Sequence, residues 1–295
     1  TGKVFVVGDS STANRDMIVE LFGYDPDGKL HFYSTVQAAV TACTSNAGDI
    51  ILVAPGHAET VTATSLDLSV AGVTIINMGN ADNAPTYTFD AAASTIDVTA
   101  ANITWVGGNL NANKLDVASA FTLAAAKGFT VKDAKFEDLT AILNFLSIVT
   151  TSAVDNAADD LTVDGNTWYG LNLVTPLAFL SILAAEERPS FINNKMYHKA
   201  TAGAEMITLA AKIVTGANFS FNNQVVVGAT GTTTGIFLTG SGTTSTGTVE
   251  GNRISSLDTT TELAFTAGTG LVFFENYYTG VADKSGKLIP LVDAA

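Results

Sequence analysis

At 295 residues the chain can hold one large domain or two ordinary ones and bury a sizeable core. It is 47% hydrophobic and only 14% charged, with a mean hydropathy of +0.30, so its surface is built from Thr, Ser, Ala, Asn and Gly or is covered by partners. A net charge of −14, with arginine only at Arg15, Arg188 and Arg253, excludes a basic nucleic-acid groove, and the single cysteine, Cys43, excludes an internal disulfide or a cysteine-rich metal site and reads as a small core residue.

The first apolar run, VFVVGDSSTA from Val4 to Ala13, reads as a strand at Val4 to Val7 that turns at Gly8-Asp9-Ser10-Ser11. Gly8-Asp9-Ser10 also has the form of the first block of the GDSL/SGNH esterases, whose serine is the nucleophile. A serine hydroxyl needs a base and oxyanion donors, and that family supplies the base from an Asp-x-x-His pair. The residues three before His31, His57 and His198 are Gly28, Ala54 and Lys195, none of them acidic, and the family's Gly-x-Asn-Asp block is missing. Ser10 is therefore read as a turn residue. The amino end has no stretch with the form of a secretory leader.

A short helix is expected around Asp16 to Phe22. A second is expected in STVQAAVTACTSNAGD, Ser34 to Asp49, with Ser34 as N-cap and Gln37 completing a capping box. Val36, Ala39, Val40 and Cys43 fall at i, i+3, i+4 and i+7, an apolar stripe suited to lying across the end of a larger body. DIILVAPG, Asp49 to Gly56, then reads as a buried strand. His57 follows Pro55-Gly56 in a loop, with no second histidine near enough in sequence to share a metal.

From about residue 65 a pattern repeats: an apolar-x-apolar strand, a turn residue, often Asn, then x-apolar. LTVDGNTW (Leu161 to Trp168) is the clearest copy, with others in ITWVGGNL, FTVKDAKF, FSFNNQVV and TVEGNRI. Aligning the second apolar position gives Ile75, Trp105, Val131, Val163, Phe191, Phe221, Val249 and Phe273. Two columns later stand Asn77, Gly107, Asp133, Gly165, Asn193, Asn223, Gly251 and Glu275, which is turn chemistry, and the next column is rich in small and amide residues. A preceding strand is visible at Leu66, Ile96, Phe121, Ile207, Ile236 and Leu263, but it is irregular near Ile148 and Phe179 to Ile182.

Strands with period-2 alternation recurring every ~28 residues describe coils that cannot bury their inner faces alone and must stack, with equivalent strands ~4.8 Å apart. The expectation is an all-β fold, a right-handed parallel β-helix of eight or nine coils with handedness taken from the crossover rule. Residues 1–48 would form a small α/β cap, 49–278 the β-helix, and 279–295 an extended carboxyl-terminal arm with Leu288-Ile289-Pro290-Leu291 exposed. Gly228 to Gly247 would be polar bends along the side. LVTPLAFLSILAA, Leu173 to Ala185, falls short of a bilayer-spanning length and reads as core.

Two acidic groups are the candidates for chemistry: Asp159, Asp160 and Asp164, and, one coil later, Glu186, Glu187 and Arg188. Glycoside hydrolysis would need two carboxylates about 5 to 9 Å apart across a sugar groove. Both groups lie in bends, where acidic residues are normally solvated, and no catalytic, metal or cofactor residue is assigned from them. Trp105 falls in the inward column, while Trp168 closes a turn and is placed either in the core or as a stacking platform.

The segments GKVFVVGDSSTANRDMIVELFGYDPDGKLHFYSTVQAAVTA and GDIILVAPGHAETV, the coils after them and the YY...KSGKLIP tail together resemble a group of bacteriophage virion proteins with parallel β-helices associated with head structural genes. The likeness is strongest from Gly2 to Gly56. It implies a capsid decoration or cement protein on the virion surface, docked on the major capsid protein, homo-oligomeric and trimeric, with no enzymatic role. The alternative is a tailspike-like or fibre-like β-helix that binds or cleaves a surface glycan. Neither reading implies nucleic acid, membrane or cofactor.

Overall fold

A computed structural model describes residues 2–8, 31–63, 66–80, 82–171, 178–198, 204–209, 213–220, 223–227, 235–239, 244–256, 270–279 and 286–288. The expected helix at Asp16 to Phe22, the Ser10 turn and Phe221 lie outside these residues.

The chain winds as a parallel β-solenoid with three faces. Sheet A has 11 strands, sheet B 10 and sheet C 7. A single turn shows the rule: Thr74–Asn77 lies in sheet A, Thr86–Phe89 in sheet B and Ile96–Val98 in sheet C, and Thr104–Val106 then pairs with the starting strand in parallel. Seven turns contribute a strand to every sheet, and two further turns contribute to A and B among the described residues. The irregular first strands of the fourth and fifth coils are Ser147–Thr151 and Ala178–Ser181, which join sheet C in sequence order.

Short strands suffice because each inward side chain lands on its equivalent one turn away. The sheet A file runs Phe5, Ile51, Ile75, Trp105, Val131, Val163, Phe191 and then Phe219, Val249 and Phe273. Phe219, not Phe221, occupies the sixth repeat position, because one extra residue separates it from the amide that follows. In sheet C, likewise, Leu238 rather than Ile236 faces Ile207. Edge-to-face rings cross the lumen from Tyr87 through Trp105 and Phe121 to Phe136, Phe179 and Phe191, with centroids 5.0 to 6.2 Å apart.

Two columns of left-handed bends flank sheet A. Before it stand Asn46, Gly72, Asn102, Gly128, Asp160, Arg188 and Gly216, with φ from 52° to 76°; after it stand Gly107, Asp133, Gly165, Asn193, Gly251 and Glu275, with φ from 45° to 71°. Most of these residues donate their N–H to the carbonyl just before the equivalent bend of the next turn, as Gly128 does to Asp159, Asp160 to Glu187 and Gly165 to Ile192. Gly, Asn and Asp fill most positions because the left-handed region is cheap for them and expensive for other side chains. The expected turn column is thus real, although it begins at Gly107 rather than Asn77.

Beside it runs a buried amide ladder of Asn166, Asn194, Asn223, Asn252 and Asn276, all without solvent exposure. The backbone N–H of Asn166 donates to Asn194 Oδ1, that of Asn194 to Asn223 Oδ1, and that of Asn252 to Asn276 Oδ1. Each Nδ2 donates to a strand carbonyl one turn back: Asn166 to Val131, Asn194 to Val163, Asn223 to Phe191, Asn252 to Phe219 and Asn276 to Val249. Asn223 therefore belongs to this ladder and not to the bend column.

The amino-terminal end is closed as the apolar stripe predicts. The helix Val36–Ala42 buries Val36, Ala39 and Val40 against the first turn. Its N-cap is Thr35 rather than Ser34: Thr35 Oγ1 accepts from Ala38 N–H at 3.2 Å, and Glu59 Oε2 accepts from Val36 N–H at 3.0 Å. Gln37 turns away from a capping box and accepts from Asp67 N–H instead. Val4–Val7 pairs in parallel with Ile50–Val53, so the amino-terminal strand continues sheet A. At the other end Gly286–Leu288 folds back antiparallel on Asn276–Thr279 and covers the edge of sheet B, so this part of the expected free arm is held by the solenoid itself.

Candidate functional site

Apart from Asp164, the two acidic groups that the sequence offers meet at successive left-handed bends. Glu186–Glu187 forms a two-residue parallel pair with Val214–Thr215, which brings the next bend into the same stack. Asp159, only 3% exposed, accepts from the N–H of Glu187 at 2.8 Å and from Lys127 Nζ at 3.0 Å. Arg188 grips Asp160 with both Nε and Nη2, at 2.6 and 3.0 Å, and reaches Glu187 with Nη1. Asp155 accepts from Ala185 N–H. These carboxylates tie one coil to the next. The expectation that acidic bend residues are solvated fails for Asp159 and Glu186, because each turns beneath the bend to reach a backbone N–H.

Glu186 is the exceptional group. It is 2% exposed, its Oε2 accepts from Ala158 N–H at 2.9 Å, and its Oε1 is buried with no hydrogen-bond partner. Burial pushes its carboxyl up to about 7; the Ala158 N–H opposes this, while Asp159 and Asp155 add to it. The Arg188 hydrogen bond holds Asp160 below the usual carboxylate range. Asp164 stands apart on the outer face of sheet A and accepts from Asn193 Nδ2.

Of the two tryptophans placed from sequence, both are fully buried. Trp105 Nε1 donates to Gly107 O at 2.9 Å and Trp168 Nε1 to the buried Asp138 Oδ1 at 3.3 Å, so Trp168 is core and not a platform. Asp138 also accepts from Phe145 and Leu171 N–H. His198 lies edge-on to Trp168, with its imidazole above Gly170, and burial brings it down to about 4. His57 Nε2 sits 3.2 Å from Glu59 Oε2 in a buried pair. Burial, with Asp49 adding, pushes the half-buried Cys43 thiol up to about 12, away from the thiolate form.

The sequence reading missed the residue after Trp168. Strand alternation that sends Trp168 into the lumen sends Tyr169 outward, 40% exposed, and Tyr169 stacks on Tyr197 of the next turn at 5.3 Å with 12° between ring planes. On the side away from Tyr197, Asp133, Ala134, Lys135, Glu137, Gly165, Thr167 and Tyr169 line an open groove of about 490 Å³. Lys135 Nζ bridges to Glu137 at 2.8 Å and lies 5.4 Å from the Tyr169 ring centre. The detectable signal was the aromatic at an outward position of adjacent repeats, Tyr169 and Tyr197.

Among the described residues no group of three or more His, Cys, Asp or Glu side chains is placed to hold a metal, and no helix is long and apolar enough to cross a membrane. No protein-family profile, curated protein or solved structure matches the chain.

Proposed function

We propose that this chain is a structural virion protein that decorates or cements a bacteriophage head, docked on the major capsid protein as a homo-oligomer, a trimer. The observation that carries the reading is the use made of the polar side chains. The asparagine ladder and the Lys127–Asp159 and Arg188–Asp160 ties spend them on joining one turn to the next, which favours a stiff rod over a reactive cleft. Stiffness is what a protein needs if it is to brace a shell. The virion setting comes from the resemblance of Gly2 to Gly56 to head-associated phage proteins. The low charge density supports burial of weakly polar faces between copies; closed symmetry accommodates a dimer or a trimer, and the resemblance implies the trimer.

The test is to add the purified protein to expanded capsids that lack it. Saturable binding at symmetry-related positions, a multiple of three copies in an image reconstruction and a higher shell melting temperature are expected. A protein that sediments as a monomer and leaves the shells unoccupied overturns the proposal.

A further inference from the structure

We propose that the groove beside Tyr169 is a binding site for a neutral glycan. The site is independent of the virion reading, so failure of either would leave the other standing.

The platform is preorganised. Tyr169 is held by Tyr197 on one ring face, and its other face looks into the groove beneath Lys135. Lys135 is a movable cover, because its side chain is 40% exposed and a surface cation over a ring is held only weakly. When it swings toward a ligand hydroxyl, the ring face becomes free to stack on the apolar C–H face of a sugar. Gly165 keeps the floor open: a Cβ there would stand 2.7 Å from Asp133 Oδ1. The volume, about 490 Å³, lies within the range of small-ligand sites.

The charges select the ligand. Two carboxylates, Asp133 and Glu137, and one ammonium, Lys135, line the groove, with Lys135 paired to Glu137 and Thr167 opposite Lys135 on the next strand. An anionic chain meets the carboxylates, and a cation competes with Lys135 for Glu137. Once Lys135 has turned from the ring, a neutral diol satisfies both charges, donating to the Glu137 carboxylate and accepting from the Lys135 ammonium. The small number of convergent polar groups beside an aromatic face suits a polyol better than an apolar ligand.

The experiment is affinity electrophoresis of the intact protein through gels containing dextran, mannan, galactan or soluble chitin oligomers, with polygalacturonate as the anionic control. At least one neutral glycan should retard the protein. Tyr169→Ala should weaken the interaction by at least about tenfold and Glu137→Gln by a smaller factor, with unchanged melting curves. Should Tyr169→Ala melt abnormally, Thr167→Val, which removes one outward hydroxyl, carries the same test. The proposal is overturned if no neutral glycan retards the protein, if polygalacturonate alone does, or if folded variants are retarded like the wild type.

Discussion

Asn194→Ala tests whether the amide ladder holds the coils together. The side chain makes three hydrogen bonds in a site with no exposure: Nδ2 donates to Val163 O at 2.8 Å, and Oδ1 accepts from Asn166 N–H at 3.0 Å and from Asn166 Nδ2 at 3.1 Å. Each bond contributes about 1 kcal/mol net, and an orphaned buried partner costs about 1–3 kcal/mol, so the loss should be about 3–5 kcal/mol. For a chain of this size that corresponds to a fall in melting temperature of about 6–10 °C, at roughly 2 °C per kcal/mol. Asn194→Asp should be worse at neutral pH, since it places a carboxylate oxygen against the Val163 carbonyl. Asn193→Gly is the control: it lies next in sequence at φ 57°, where glycine is at ease, and gives up only an exposed bond to Asp164. The assay is thermal unfolding by circular dichroism, with native-state hydrogen exchange at the Asn166 amide to localise the effect. Equal melting temperatures for Asn194→Ala and Asn193→Gly would show that the ladder contributes little.

Glu186 makes stability fall as pH rises. Its folded value of about 7 lies above the ordinary 4.5, so its contribution is complete below about 4.5 and is lost as pH climbs through about 7. Glu186→Gln should therefore raise the free energy of urea unfolding at pH 8, by up to about 3 kcal/mol, and change it little at pH 4.5; an equal effect at both pH values would refute the assignment. His198 acts in the opposite direction: with a folded value near 4 against 6.5, stability is full above about 6.5 and declines as pH drops toward 4, a trend that should vanish in His198→Phe. Gly170→Ala would set a Cβ 1.8 Å from His198 Cδ2, costing about 1–3 kcal/mol or more. A double-mutant cycle with His198→Ala should recover much of that cost, and strict additivity would argue against the contact.

The fold was largely legible because its rules are local and repeat. Alternation marked the strands, Gly, Asn and Asp marked the bends, and the spacing of about 28 residues implied a coil that must stack. The site was not legible in the same way. Asp159 and Asp160 are neighbours in the sequence, yet one is tucked beneath the bend and the other lies outside it in the grip of Arg188. The sequence leaves Trp168 open as a platform, while the exposed ring belongs to Tyr169. The repeat pattern puts Phe221 where Phe219 stands, since the residue count from strand to amide differs in that coil.

The amino-acid order by itself determined the secondary structure, the period and most of the identities in the interior files. The stacked coils alone decided which polar side chain is buried, which carboxylate oxygen lacks a partner and which aromatic ring faces water. The physical reason is that a residue's partners here sit one turn above and below it, some 28 positions away. Burial and hydrogen bonding are therefore set by register between turns, which the extra residue between Phe219 and Asn223 leaves intact while it shifts the count along the chain.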